Sequence, residues 1–192
     1  MTTPQRESEK LSVLVAGERD AQLDLLLREL RRSASHVVHM FPVPERLPAE
    51  HDIILADFSP ALLDLLPWVP GEATAALIIL LPENGLFSLK RLRDCCPDAV
   101  LHRPFRAVAI QTGLMLARSQ FNFIRRLRSR ITRLDENIKA IRDIERAKMI
   151  IMDARHVTED EAYAYIRSEA MERRMTVASF AAHIVDSYQL LH

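Results

Sequence analysis

The sequence predicts an α/β domain with a five-stranded parallel sheet, then a long coiled-coil helix, then an all-α three-helix unit. Three observations predict it. Five short apolar runs alternate with helical stretches over residues 11–117, the pattern of a doubly wound sheet covered on both faces. From about Arg106 to Met152 there is no proline and one glycine, Gly113, while apolar residues recur at alternating steps of three and four. Beyond Met152, two short helical patterns follow, each with its own start signal.

The α/β elements can be read in order. Leu11 to Val15 is a short apolar run and a good buried strand. Asp20 then sits where an N-cap belongs, and Leu23, Leu26, Leu27 and Leu30 share one helix face. His36 to Phe41 is a second strand. PVPERLP follows, with three prolines in seven residues, so no regular helix is expected in this second crossover. Ile53 to Ala56 is a third strand ending at Asp57, and a leucine-rich helix fits between Pro60 and Pro67. Leu77 to Leu81 is a fourth strand, Phe87 to Cys95 a helix, and Ala99 to Leu101 a fifth strand.

The long helix carries a seam. Ile124, Leu127, Ile131, Leu134, Ile138 and Ile141 are the a and d positions of a heptad pattern and are the expected dimerisation residues. Extending the register gives Ala117 and Gln120 upstream, and Glu145 and Lys148 downstream, where the seam turns polar. At 1.5 Å per residue such a helix is roughly 70 Å long. A rod of that length is expected to separate two modules and to pair with a copy of itself. Six arginines, Arg118 to Arg133, precede the first acid at Asp135. Arg125, Arg126, Arg128 and Arg130 flank the first seam positions, where like charges on two parallel copies would repel. The cluster reads as an RNA-facing stripe, as a docking surface for an acidic partner, or as a solvated flank of the rod.

Behind the rod, Asp153 to Val157 reads as a short break. Thr158-Glu159-Asp160-Glu161 is a capping box, and Ala162, Ile166 and Ala170 form a small-residue stripe suited to close packing. A second break falls near Arg174 and Met175. Thr176 caps the last helix, whose apolar positions are Val177, Phe180, Ala181, Ile184, Val185, Tyr188 and Leu191.

Composition excludes several classes. Hydrophobic content of 48% and charged content of 27% are ordinary for a globular chain of 192 residues, and the net charge is zero. MTTPQRESEK is polar and lacks the apolar core of an export signal. No apolar run is long enough to cross a membrane. Cys95 and Cys96 are adjacent, which disfavours a disulfide between them. Reduced thiols without an export signal point to the cytoplasm. No Gly-rich loop, H-E-x-x-H or G-x-S-x-G is present, so no catalytic residue, cofactor or metal site is expected. His36 and His39 are three apart on a strand, hence on opposite faces. The two cysteines lack metal-ligand spacing.

Two resemblances sharpen this reading. Residues 1–117, from the first strand onward, resemble a response-regulator receiver domain, which implies a flavodoxin-like fold. The spacing from Asp52 to Asp57 is similar to the strand that ends in the family's phospho-acceptor, and Leu101-His102-Arg103-Pro104-Phe105 resembles L-x-K-P-F. The resemblance is incomplete. Ala16 and Gly17 stand where receivers place the acidic pair that holds Mg²⁺, with only Glu18 nearby. Leu81 and Pro82 replace the Ser or Thr, and Arg103 replaces the lysine. Phosphoryl transfer to a carboxylate depends on that metal, so Asp57 is the phospho-acceptor equivalent in a pseudo-receiver that is not expected to use it.

Residues 135–192 resemble the ANTAR domain, through Ala147-Lys148, Ile151-Met152, Glu161-Ala162, Ile166-Arg167, Ala170-Met171 and Phe180-Ala181. Residues 118–141 are then the coiled-coil dimerisation segment. ANTAR modules are RNA-binding domains of transcription antiterminators. The combination of degenerate receiver, coiled coil and ANTAR is similar to antiterminators of the amidase-operon regulator type. That resemblance implies a homodimer that binds stem-loops in leader mRNA. It also implies control through sequestration by a periplasmic-binding-protein-like amide sensor. RNA binding needs cations for phosphates and flat groups for unpaired bases. The candidates are Lys148, Arg167, Arg142, Arg146, Arg155, Arg173, Arg174 and Tyr163, with Tyr165 as a second ring or as core-edge packing. A solvated arginine face is the plain alternative. A DNA-binding response regulator and a pure interaction adaptor are the other function classes. Against the first, Thr176 to Leu191 has no lysine or arginine to offer a major groove.

Overall fold

In a computed structural model, residues 11–85 and 87–191 are described, together with all side chains in those ranges except Leu190 and Leu191. The expectations placed on MTTPQRESEK and on the Leu191 side chain lie outside the described residues. The chain divides into two compact units, Met1–Arg125 and Arg126–His192.

In the first unit, β1 (Ser12–Ala16), β2 (His36–Met40), β3 (Ile53–Asp57), β4 (Ala76–Leu81) and β5 (Ala99–His102) form one sheet of order β2-β1-β3-β4-β5. Every neighbouring pair is parallel. This is the flavodoxin-like order, in which ligand sites lie beyond the carboxyl ends of the strands. Helix α1 (Ala21–Ser33) starts because the Asp20 carboxylate accepts the Leu23 N–H at 2.7 Å. Leu23, Leu26, Leu27 and Leu30 are buried against one sheet face with Val13, Val15, Leu55 and Ile78. Helices α2 (Leu62–Leu65) and α3 (Leu89–Asp94) are shorter than the sequence suggests.

No helix joins β2 to β3, as the prolines dictate. The loop fills the place with one side chain, Leu47, buried with Leu62, Leu66 and Trp68. The Leu47 N–H donates to the Leu65 carbonyl at 2.8 Å, which fixes the loop to the short helix α2. His36 is exposed, while His39 meets the Gly17 carbonyl at 2.9 Å. The two histidines take no common partner. Cys95 and Cys96 are free, and burial pushes the Cys95 thiol above its ordinary range.

Helix α4 is continuous from Ala107 to Arg155, 49 residues. Its first turns are packed against the sheet through Ile110, Leu114 and Ala117. Ile124 is half-buried. Leu127, Ile131, Leu134, Ile138 and Ile141 are between 38% and 61% exposed, so the described residues leave the seam from Leu127 to Ile141 uncovered.

The second unit packs the end of α4 with α5 (Glu159–Glu172) and α6 (Val177–Leu191). Its core is Ala147, Ile166, Ala170, Phe180, Ala181 and Val185. The three alanines among them let the helix backbones approach closely. Two expectations are corrected. Helix α4 does not stop at Asp153; it runs to Arg155 and ends where His156 takes a φ of 54°. Tyr188 does not join the buried face but is exposed. Thr158 forms the full capping box, its side chain accepting from the Glu161 N–H while the Glu161 carboxylate accepts from the Thr158 N–H. Thr158→Ala should therefore destabilise this unit by about 1 kcal/mol. Chemical denaturation followed by helical ellipticity measures it.

Candidate nucleic-acid interface and receiver pocket

The sheet's carboxyl end holds a cleft of about 280 Å³ lined by Glu18, Arg19, Asp20, Asp57, Phe58, Leu80, Pro82 and Arg103. Arg103 dominates it. The Arg103 side chain is 14% exposed and its guanidinium donates to Asp20 at 2.5 Å and to Asp57 at 3.1 Å. It also lies over the Phe105 ring, 4.9 Å from the centroid. Opposite, a Cβ on Gly17 would collide with the Asp57 carboxylate. Only glycine permits that approach, and it removes any acid from the position.

These residues do not fit a divalent cation. Asp57 already has a fixed cation, Asp20 is divided between Arg103 and the α1 N-terminus, and among the described residues no three His, Cys, Asp or Glu side chains converge on a metal position. A guanidinium supplies one positive charge and no open coordination position. The expected result of incubation with Mg²⁺ and acetyl phosphate is an unchanged intact mass. A stable mass increase that Asp57→Asn abolishes would contradict this account of the pocket.

The candidate interface lies on the second unit, and the structure sorts its residues into two groups. Lys148, Arg155 and Arg173 are engaged internally. Lys148 is 8% exposed. Its ammonium donates to Glu159 at 2.5 Å and Glu145 at 2.8 Å, bridging α4 to the start of α5. The hydrogen bond to Glu145, then that to Glu159, raises its pKa. The expectation that Lys148 presents its charge to a phosphate is therefore corrected: the ammonium is a strut between helices. Arg155 lies over the Tyr165 ring at 3.9 Å and donates to its hydroxyl at 3.0 Å, which makes Tyr165 packing rather than an open platform. Arg173 pairs with Glu169 at 3.0 Å and covers the Phe180 ring.

Arg142, Arg146, Arg167 and Arg174 form the second group. All four are exposed and have no side-chain partner among the described residues. Tyr163 is 43% exposed. It lies one turn before Arg167 on the outer face of α5, and Arg142 and Arg146 are likewise one turn apart on α4. Arg174 follows the helix end in a left-handed conformation, φ 55°. Unpaired guanidiniums can grip phosphates bidentately, and a free phenol ring can stack on an unpaired base.

The strut has a pH signature. The hydrogen bond from Lys148 lowers the pKa of Glu159, and the Thr158 backbone N–H, then its hydroxyl, lowers that of Glu161. A carboxylate depressed in the folded state contributes stability fully above its unfolded value of about 4.5. That contribution disappears as pH falls through the lowered values. Thermal melts should therefore fall steeply below about pH 4.5, and less so in Glu159→Gln.

Comparison with known proteins identifies both halves of the chain. The family described as AmiR, N-terminal matches residues 11–118, more than half of the chain, and the ANTAR domain matches residues 132–185. The transcriptional regulatory protein PdtaR of Mycobacterium tuberculosis is 26% identical over 125 residues, 65% of this chain and 61% of that protein. The chain thus spans less than two thirds of that relative's length. The aliphatic amidase regulator of Pseudomonas aeruginosa is 24% identical over 184 residues, 92% of this chain and 91% of that protein. The response regulator StyR is similar in structure, with a TM-score of 0.48 and 16% identity over 93% of this chain and all of that one. No described helix is long and apolar enough to cross a membrane. By residues 11–118 the chain belongs to the AmiR N-terminal family, and behind that region it carries an ANTAR domain.

Proposed function

We propose that this protein is a dimeric, cytoplasmic, RNA-binding transcription antiterminator. It holds stem-loops in leader mRNA and carries no catalytic activity of its own. One observation carries the reading: within the ANTAR region, Arg142, Arg146, Arg167, Arg174 and Tyr163 are exposed and uncompensated among the described residues, while Lys148, Arg155 and Arg173 are engaged by packing. Charge left unpaired beside an open ring suits a phosphate backbone with splayed loop bases.

Self-pairing along residues 118–141 supplies the second half. The exposed seam from Leu127 to Ile141 gives two modules a common stem. Each weak RNA interaction is then strengthened by the other through effective concentration. The receiver-like unit serves as a regulatory interface rather than a phosphorylation switch, because Arg103 occupies the Asp57 carboxylate. Control comes from a separate ligand-sensing protein, of the periplasmic-binding-protein-like amide-sensing kind, that sequesters the regulator.

Filter binding tests the RNA reading. A leader hairpin should bind more tightly than duplex DNA of matched length at the same salt. Equal or tighter duplex binding would turn the reading toward a DNA-binding regulator, and binding of neither toward an interaction adaptor.

A further inference from the structure

The arginine cluster of α4 has no part in the interface described so far, and its charge is one-sided. From Ala99 to Leu134 the chain has no acidic residue, yet Arg118, Arg125, Arg126, Arg128, Arg130 and Arg133 all lie on α4. Farther along, the same helix mixes signs, with Asp135, Glu136, Lys139 and Arg142, the ordinary pattern of a solvated helix face. Like charges one turn apart destabilise a helix. A stretch that keeps six of them without an acid is built to take its counter-charge from outside. All six are arginine, although lysine serves a helix about as well. A guanidinium differs in gripping phosphate through two parallel N–H bonds.

The helix period places the cluster. With Ile124 and Ile131 at a and Leu127 and Leu134 at d, Arg125 and Thr132 fall at b, Arg126 and Arg133 at c, and Ser129 at f. These five residues share the face turned away from the seam, over about 12 Å of helix. All five are exposed. Among the described residues, Arg125 and Arg133 make no ion pair within the chain. No apolar residue interrupts the face, whereas a protein partner is held by apolar or aromatic anchors at the centre of its interface. Guanidiniums interleaved with hydroxyls suit phosphates and ribose hydroxyls instead. The b positions continue through Lys139 to Arg146, one of the exposed cations of the ANTAR region.

We propose that the outer face of α4 from Arg125 to Arg133 is a second RNA-binding surface, which holds the phosphate backbone of a hairpin stem without reading its sequence. The ANTAR arginines and Tyr163 take the loop. The proposal rests on the RNA reading above and adds a duplex-binding surface outside the ANTAR region.

Filter binding with two RNAs tests it, one carrying a full stem and the other the same loop on a stem cut to its last few base pairs. The variant replaces Arg125, Arg126 and Arg133 by glutamine in the full chain, with helical ellipticity as the control on folding. Wild type should bind the full stem more tightly. The variant should lose that preference, and its slope of log affinity against log salt on the full stem should fall by about 2 to 3, with binding of the short-stem RNA unchanged. Lysine at the same three positions keeps the charge and should keep most of the slope; a loss equal to that of glutamine would mark a structural effect and overturn the proposal. A glutamine variant with the wild-type slope and stem preference would overturn it while leaving the RNA reading intact. If that variant also bound polyglutamate less well than wild type, the face would belong to an acidic protein. A wild-type chain that binds neither RNA would remove the RNA reading itself, before any variant is compared.

Discussion

Leu134→Lys should convert the paired protein into monomers at concentrations where the wild-type chain is fully associated. Leu134 is a central d residue and is exposed in the single chain, so its burial has to come from a partner. Burying a leucine side chain is worth about 1.5–3 kcal/mol. Both copies forfeit it together, and two ammonium groups would enter the seam in its place. The dissociation constant should rise on the order of a hundredfold to ten-thousandfold. Lysine is a good helix former, so α4 should keep its ellipticity and the change should be confined to association. Sedimentation velocity reads the outcome. An unchanged dimer would place the interface elsewhere on the molecule. With pairing abolished, affinity for a two-hairpin transcript should fall toward that for a single hairpin, because effective concentration disappears with it.

The second large effect concerns RNA. Removing Arg142, Arg146, Arg167 and Arg174 together should abolish tight hairpin binding at physiological salt. Every phosphate that a substitution leaves unneutralised reduces the slope of log affinity against log salt by about 0.7–0.9. Four such phosphates per chain amount to a slope change of about 3. All four side chains are exposed, so the melting temperature should hold. Lys148→Ala should behave in the opposite manner. It releases Glu145 and Glu159 from their common cation, so it should loosen the α4–α5 junction, with any fall in RNA affinity following from that. An unaltered salt slope in the fourfold variant would remove these arginines from the interface.

Much of this molecule could be read from residue spacing, and the reasons differ from part to part. The parallel sheet was legible because both faces of its central strands are covered, so Ile53–Ala56 and Leu77–Leu81 read as uninterrupted apolar runs. The α1 and α5 starts were legible because Asp20 and Thr158 cap locally, within three residues. The missing crossover helix was legible from three prolines, but Leu47 as its replacement was not, since its partners Leu62, Leu66 and Trp68 are far along the chain.

The functional residues were harder for the same reason. Lys148 stands at a motif position, yet its partner Glu159 lies beyond the turn between two helices, a pairing no periodicity announces. Arg155 and Tyr165 are ten residues apart and looked like independent candidates until the fold stacked one on the other. Arg103 could be identified as a lysine replacement, but not as the bridge between Asp20 and Asp57, because those carboxylates are separated from it by 83 and 46 residues. Sequence spacing located the elements; which charges cancel depended on how the elements meet.

The most direct measurement is the mass of the complex formed with a transcript carrying two adjacent stem-loops, read by sedimentation or light scattering. The account predicts two chains on one RNA, reduced to weak binding when either hairpin is deleted. A complex of one chain per RNA, with the same affinity for one hairpin as for two, would contradict it.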